Sequence, residues 1–319
     1  MKIAVDLMGG VGAGDQNMLA CHAYPSPEEL VLFGDPAKLD SAGLKYLTTR
    51  GTLFVGAQHS LSGVESPRVL LKHTLKTSLA QCLAQLAHGQ VDAVVSSADT
   101  KAIMVLGRHL VGTMNTLRRP AIAKAFQGPL GQFYLLDLGA NVECPPALLQ
   151  QFARLGSALY RSHEDGVDQR TSPRVALLNI GIEAGKGKAD INIAADLIAN
   201  DARLNGVGFL EPSDLFAGKA DVIVCDGYAG NLVLKTIESM ASYLGNELKQ
   251  LSNGQAEMQK LATSIDPDRY NGALFAGLKH VVVKSHGSAS ARSFLSALIQ
   301  GRDYVRAQLP DACQDMLAK

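Results

Sequence analysis

Hydrophobic and polar positions follow two rhythms along this chain, and the two take turns from one end to the other. Short apolar runs stand at 2–6, 30–33, 52–55, 91–96, 133–137, 174–180, 207–210, 221–225 and 280–284, most of them rich in Val, Ile and Leu. Runs of this length bounded by Gly, Asp, Ser or Asn predict buried strands. Between them apolar residues recur three and four apart over 67–88, 100–111, 146–160, 189–204, 231–252 and 288–308, a spacing that predicts helices. Strand and helix in alternation imply an α/β fold, a mainly parallel sheet sandwiched by helices. Residues 161–172 read as a polar loop, and no internal repeat breaks the pattern. The expected organisation is a single α/β unit over 1–319, a length with ample core.

One helical stretch carries a second signal. Leu234, Ile237, Ala241, Leu244, Leu248 and Leu251 follow 3-4-3-4-3 spacing, an apolar seam. Ser252-Asn253-Gly254 interrupts it, and Met258, Leu261 and Ile265 suggest a shorter returning helix. A projecting helical hairpin is therefore expected over 231–266, and its seam needs a partner, most simply its own copy in a homodimer. Glu238, Glu247 and Glu257 outnumber Lys249 and Lys260 here, which favours a dimer seam over attachment to an anionic membrane surface.

Composition narrows the class. Hydrophobic residues make up 47% of the chain and aromatics only 5%, with no Trp, so the core is expected to be built from Ala, Val, Ile and Leu. A formal net charge of zero argues against a nucleic-acid partner. Cys21, Cys82, Cys144, Cys225 and Cys313 are widely spaced, with no Cys-x-x-Cys pair, which suits neither a disulfide framework nor a zinc site. No basic n-region precedes an apolar stretch, and no apolar run approaches the roughly 18 residues that span a bilayer. A cytoplasmic protein is the expectation.

The candidate chemistry sits where predicted strands end. Asp226-Gly227 closes one strand and Gly230-Asn231 opens the next helical pattern, a junction whose free N–H groups suit an anion. Val281-Val-Val-Lys-Ser-His-Gly287 repeats the design, as do Leu136-Asp-Leu-Gly-Ala-Asn141 and Val94-Val-Ser-Ser-Ala-Asp-Thr100. The strand at 174–180 leads into Glu183 and the cluster Gly185-Lys186-Gly187-Lys188. So many polar strand ends predict one convergent site. Gly9-Gly10-Val-Gly-Ala-Gly14 lacks Gly-x-Gly-x-x-Gly spacing, so no dinucleotide cofactor is expected. Absence of a Gly-x-Ser-x-Gly elbow or a Cys/His pairing argues against a covalent acyl-enzyme. His286 is singled out by its loop; His22, His59, His73, His88, His109, His163 and His280 lack such context.

Taken in order, these words resemble the PlsX family of fatty acid/phospholipid synthesis proteins, from Met1-Lys-Ile-Ala-Val-Asp-Leu-Met-Gly-Gly10 to about Gln300. The most specific pieces are Leu136-Asp-Leu-Gly-Ala-Asn-Val142, Arg174-Val-Ala-Leu-Leu-Asn-Ile-Gly181, Asp226-Gly-Tyr-Ala-Gly-Asn-Leu-Val-Leu-Lys235, and Tyr270-Asn-Gly-Ala273 with Lys284-Ser-His-Gly287. The resemblance implies a fold like isocitrate/isopropylmalate dehydrogenases and phosphotransacetylases. It also implies a phosphate acyltransferase that turns long-chain acyl-[acyl carrier protein] and inorganic phosphate into acyl phosphate, the donor for glycerol 3-phosphate acylation in phospholipid synthesis. Its implied partners are acyl carrier protein, phosphate, a second copy of the chain and a membrane-bound glycerol-3-phosphate acyltransferase, with peripheral contact at the membrane surface. No cofactor or metal is implied. Two loops depart from the family pattern: Met8-Gly9-Gly10 continues as Val11-Gly12 without the usual acid, and Ser96-Ser-Ala-Asp-Thr-Lys-Ala102 carries Ala98 and Lys101 where the family has glycines. Those loops leave open a paralogue that binds acyl carrier protein or a lipid-synthesis partner without turnover, and a short-chain phosphotransacetylase-like enzyme is the other alternative.

Within that chemistry Lys186, freed by Gly185 and Gly187 and matching a family lysine, is expected to stabilise charge at the transition state. Asp226 is expected to handle a proton or to orient Lys186, and His286 to donate to phosphate or to protonate the leaving sulfur. Asn141 and Asn231 are neutral amides suited to an oxyanion, and Ser97, Thr100, Ser285 and Gly287 are expected to bind phosphate or substrate. Arg118 and Arg119, or Arg68 and Lys72 with Lys76 at i, i+4, i+8, are candidate docking patches for an acidic carrier protein.

Overall fold

The computed structural model describes residues 1–10, 13–61, 65–72, 76–162, 172–251, 256–258, 261, 266, 268 and 271–318. Among these residues lies one sheet of 11 strands. In chain order they are β1 (Ile3–Asp6), β2 (Leu30–Gly34), β3 (Leu53–Gly56), β4 (Ala93–Ser96), β5 (Ala121–Gly128), β6 (Gly131–Leu136), β7 (Arg174–Leu178), β8 (Asn205–Leu210), β9 (Val222–Val224), β10 (Ala273–Ala276) and β11 (Val281–Lys284). The spatial order is β3-β2-β1-β4-β11-β10-β5-β6-β9-β7-β8. The helices are α1 (Ala13–Ala23), α2 (Ser41–Thr49), α3 (Pro67–Lys72), α4 (Ser78–Ala87), α5 (Thr100–Leu106), α6 (Pro146–Arg161), α7 (Ala189–Ala199), α8 (Gly227–Leu251), α9 (Ala291–Arg306) and α10 (Leu309–Leu317). All nine expected strands are present, and the fold is the mainly parallel α/β sandwich the alternation implies.

Strands β5 and β10 were not visible in the pattern. Ala121-Ile-Ala-Lys-Ala-Phe-Gln-Gly is built on alanine with Lys124 and Gln127 inside it, and β10 is only four residues long. They matter out of proportion to their length, because they reverse the sheet. β1, β2, β3, β4 and β11 run parallel to one another. β6, β9, β7 and β8 form a second parallel set. Between them β10 is antiparallel to both β11 and β5, and β5 is antiparallel to β6. The two parallel sets therefore point in opposite directions, and their carboxyl ends lie at opposite edges of the sheet.

Each face is covered by helices. One apolar layer joins Met18 of α1, Leu47 of α2, Phe152 of α6 and Phe294 of α9 to the inward residues of the strands. The other joins Leu79 and Leu83 of α4, Ile103 of α5 and Leu234 of α8 to Phe33, Val94 and Phe275. Phe152 and Phe294 are completely buried, each contributing roughly 1.5–3 kcal/mol of transfer free energy.

The expected helix at 67–88 does not continue through Thr77. That residue is extended (φ −96°, ψ 150°), and its hydroxyl accepts from Ala80 N–H as the cap of α4. Lys76 consequently stands outside α3 and does not share the face of Arg68 and Lys72. Helix α8 starts at Gly227, one turn before the Gly230-Asn231 junction where the sequence placed it. Of its seam, Leu234 is buried, while Leu244 and Leu251 are 46% and 62% exposed. Most of the proposed returning helix, including Ile265, lies outside the described residues, as do His73, His163 and the altered Val11-Gly12 turn.

Candidate active site

The carboxyl ends of β1, β4 and β11 are tied together by buried polar groups. Asp6 accepts hydrogen bonds from Ser78 Oγ and Ser96 Oγ, both at 2.6 Å, and from Met8 N–H at 3.1 Å. Burial pushes its carboxyl pKa up, and these donors oppose the shift. Gly10 (φ +98°) lets the first loop cross the last one; a Cβ there would lie 2.5 Å from the carbonyl oxygen of Gly287. Ser97 is buried beside that crossing, and its hydroxyl has no hydrogen-bond partner among the described residues. An unsatisfied buried hydroxyl is uncommon in a folded protein and points to a group that completes it.

Asp99 caps α5: its carboxylate accepts from Lys101 N–H at 2.9 Å. Thr100 occupies the first turn of α5 and the Lys101 side chain is exposed. On the neighbouring loop Ser285 is fully buried, and its Oγ accepts from Asn271 Nδ2 at 2.6 Å. The Asn271 side-chain Oδ1 in turn accepts from His286 N–H at 3.2 Å. Sequence reasoning quoted Asn271 only as part of a motif and missed this bracing role.

His286 itself is exposed. Its Nδ1 accepts from Ser288 N–H at 3.3 Å and lies 3.0 Å from Ser288 Oγ, contacts that suit a neutral ring with its proton on Nε2. Partial burial, followed by the charges of Lys235 and Lys284, lowers its pKa and favours that neutral form.

A row of lysines stands next to this loop. β11 pairs Lys284 with Ala273 of β10, and the register of β10 on β5 places Ala273 opposite Lys124. Residues opposed in antiparallel strands share a face, so both lysines project toward α8 over a small alanine. Lys124, buried, reaches Glu238 of α8 at 3.4 Å, and Lys235 reaches the same carboxylate at 2.8 Å. Lys284 Nζ donates to the carbonyl of Ser285 at 3.0 Å. Burial, reinforced by the charge of Lys235, lowers the Lys284 amine to about 8.

The second group lies at the other edge, where β6, β7 and β9 end. Asp137 accepts from the N–H groups of Ile122, Ala140 and Asn141 and from Asn141 Nδ2, at 2.7–3.0 Å. Asn141 also donates to Pro120 O at 2.9 Å, so its amide is engaged in holding the loop. Asn231 is exposed in the second turn of α8, against Gly139. Asp226 is the cap of α8, accepting from Ala229 N–H at 2.8 Å, and its other oxygen meets Lys188 Nζ at 2.7 Å. The expectation that Asp226 orients Lys186 is corrected by this pair. Lys186 turns outward to Glu183 at 2.7 Å, with half of its side chain exposed. Gly185 and Gly187 do take positive φ, as the loop requires, and a Cβ on Gly187 would fall 1.9 Å from Asn179 Oδ1. That Asn179 oxygen is buried and unpartnered among the described residues. Partner bonds raise the pKa of both Lys186 and Lys188.

The single convergent site read from the strand ends thus resolves into two clusters. Ser97, Thr100, Ser285, His286 and Gly287 gather at one edge; Asn141, Lys186, Asp226 and Asn231 gather at the other. Helix α8 connects them: from Gly227 to Lys235 it rises about 12 Å. The docking patches separate in the same way. Arg118 and Arg119 are exposed just before β5, on the Asp137 side, while Arg68 and Lys72 ride on α3, which packs against α5. Among the described residues no group of three His, Cys, Asp or Glu is placed to hold a metal ion. All five cysteines are buried and free, and burial pushes the Cys144 thiol up to about 12, which is the wrong direction for a nucleophile.

The family model described as fatty acid synthesis protein matches residues 1–312. The phosphate acyltransferase of Shewanella amazonensis is 38% identical, over 99% of this chain and 96% of that protein. Two solved structures share the fold. The EutD phosphotransacetylase from Staphylococcus aureus matches with a TM-score of 0.59 at 16% identity, over 98% of this chain and 94% of that one. A 4-hydroxythreonine-4-phosphate dehydrogenase from Klebsiella pneumoniae matches with a TM-score of 0.54 at 14% identity, over 96% and 98%.

Proposed function

The chain belongs to the fatty acid synthesis protein family, and from that membership we propose that it is a phosphate acyltransferase acting on long-chain acyl-[acyl carrier protein]. A phosphate oxygen attacks the thioester carbonyl, the C–S bond breaks, and the proton of hydrogen phosphate ends on the departing pantetheine sulfur. The products are acyl phosphate and free carrier thiol, with atoms and charge in balance. Phosphate is already an ionised nucleophile, so the enzyme's work is to position it, stabilise the oxyanion and help the thiolate leave.

The observation that carries this reading is the edge formed by β1, β4 and β11. There an unpartnered Ser97 hydroxyl and the Nε2–H of neutral His286 stand beside the crossing of the Gly10 and Gly287 loops. Both are donors, the requirement of an anion. His286 acts as a hydrogen-bond donor to phosphate or to the sulfur, and Lys186 and Asp226 act from the other cluster, Asp226 through its pair with Lys188. A pocket of about 380 Å³ beside α3 and α5, with Leu61, Val69, Leu70 and Leu106 on its walls and His59, Glu65 and Lys76 among its polar lining, is a candidate for the acyl chain. Arg118 and Arg119 offer charge for an acidic carrier protein, the half-exposed seam of α8 a homodimer contact, and the product a substrate for a membrane-bound glycerol-3-phosphate acyltransferase. No helix among the described residues is long and apolar enough to cross a membrane.

Donor competition tests the reading. With phosphate present, long-chain acyl-[acyl carrier protein] should be consumed in preference to short-chain acyl-coenzyme A. Preference for the short coenzyme A donor would move the protein to the phosphotransacetylase class, and carrier-protein binding without turnover would make it a binding paralogue.

A further inference from the structure

We propose that inorganic phosphate is held by Lys284, with Lys235 and Lys124 arranged around Glu238 as the rest of a cationic cradle against the Ser97 and His286 loops. The proposal rests on the phosphate acyltransferase reading for its ligand and adds residues to which no role has been given.

The charge balance of the two clusters decides between them. At the Asp226 edge each lysine has its own carboxylate: Lys186 pairs with Glu183 and Lys188 with Asp226. A phosphate arriving there meets neutralised cations. At the β11 edge Lys124 and Lys235 divide the single carboxylate of Glu238. Lys284 has only the carbonyl of Ser285 as hydrogen-bond acceptor among the described residues, and the nearest acids acting on it, Asp99 and Glu238, are committed to the α5 cap and to the other lysines. Three ammonium groups against the shared carboxylate of Glu238 and the more distant one of Asp99 leave this edge positive, and a partly buried ammonium with no carboxylate in contact is costly unless a ligand supplies one. Sheet geometry makes the cradle the right size. Lys284 and Lys124 lie two strands apart, about 10 Å between Cα atoms, with only the methyl of Ala273 between them, so two long side chains can close on one small anion. Ser97, one residue past the pairing of Ser96 with Lys284, brings its unused hydroxyl to the same edge.

The groups facing Lys284 are Lys235 and Glu238 from α8, Lys124 from β5, Asp99 from the α5 cap and His286 from its own loop. The amine loses its proton as pH rises through about 8, and phosphate affinity should fall over the same range. An arginine at this position would stay charged throughout.

The experiment measures phosphate KM, acyl-donor KM and direct binding of inorganic phosphate by titration calorimetry, on folded native protein and on Lys284→Met, Lys284→Arg and Lys235→Met. Loss of one charged donor should raise phosphate KM and Kd about ten- to a hundredfold in Lys284→Met while acyl-donor KM stays within about twofold. Lys235→Met, on the exposed side of α8, gives the same direction if Lys284→Met does not fold. Native phosphate Kd should weaken above about pH 8 and that of Lys284→Arg should not. Unchanged phosphate Kd in both methionine variants, or the same pH dependence in native and Lys284→Arg proteins, overturns the proposal. The binding arm needs no turnover, so it stands even if the acyl transfer reading fails.

Discussion

At the scale of single residues, Asp226 carries two duties that substitution can separate. Its carboxylate caps α8 through Ala229 and holds Lys188. Asn is as good a cap as Asp, so Asp226→Asn should leave unfolding free energy nearly unchanged, whereas Asp226→Ala should lower it by about 1 kcal/mol in denaturant titrations. Turnover should fall in both. The pairing also fixes the coupling. Lys188→Met should cut turnover roughly tenfold or more, be partly rescued by Lys188→Arg, and combine with Asp226→Asn less than additively. Lys186→Ala combined with Asp226→Asn should be additive within about 0.5 kcal/mol, because Lys186 belongs to Glu183. Strong coupling in the Lys186 cycle would show that the loop rearranges when substrate binds. The sequence made this cluster legible as a Gly-Lys-Gly-Lys loop facing Asp226. It did not say which lysine makes the contact, because that depends on how Gly187 folds over Asn179.

At the scale of elements, most strands that the pattern revealed carry a run of Val, Ile or Leu buried on both faces, while the edge strands β3 and β8 are more exposed. β5 and β10 escaped because alanine replaces much of the usual Val, Ile and Leu, Lys124 and Gln127 interrupt β5, and β10 is only four residues long. Helix α1 escaped because Met18, Leu19, Ala20 and Cys21 run consecutively after a polar first turn, which hides the three-four spacing. Missing β5 and β10 had a functional consequence: without the reversal, every strand end looked as if it met at one edge. Helix α8 was read correctly as amphipathic, and among the described residues part of its outer apolar surface is exposed. Met240, Tyr243 and Leu244 are 51%, 59% and 46% exposed. Leu244→Glu with Leu248→Glu should therefore convert a dimer to a monomer in sedimentation without loss of helix content; a native protein already monomeric would remove the seam from the account.

At the scale of the whole molecule, two parallel half-sheets facing opposite ways place two clusters of candidate residues at strand ends joined by a single helix. An acyl transfer between a small anion and a thioester on a long arm can use both, phosphate at the β11 edge and the carrier protein beyond Arg118 and Arg119. The most direct measurement is phosphorus NMR of the purified protein incubated with inorganic phosphate and long-chain acyl-[acyl carrier protein], with the freed carrier thiol counted in parallel. A new acyl phosphate resonance should grow in step with carrier thiol, one for one, with no metal or nucleotide added. Carrier thiol released without acyl phosphate, or neither product from folded protein across several chain lengths, would contradict the proposed function.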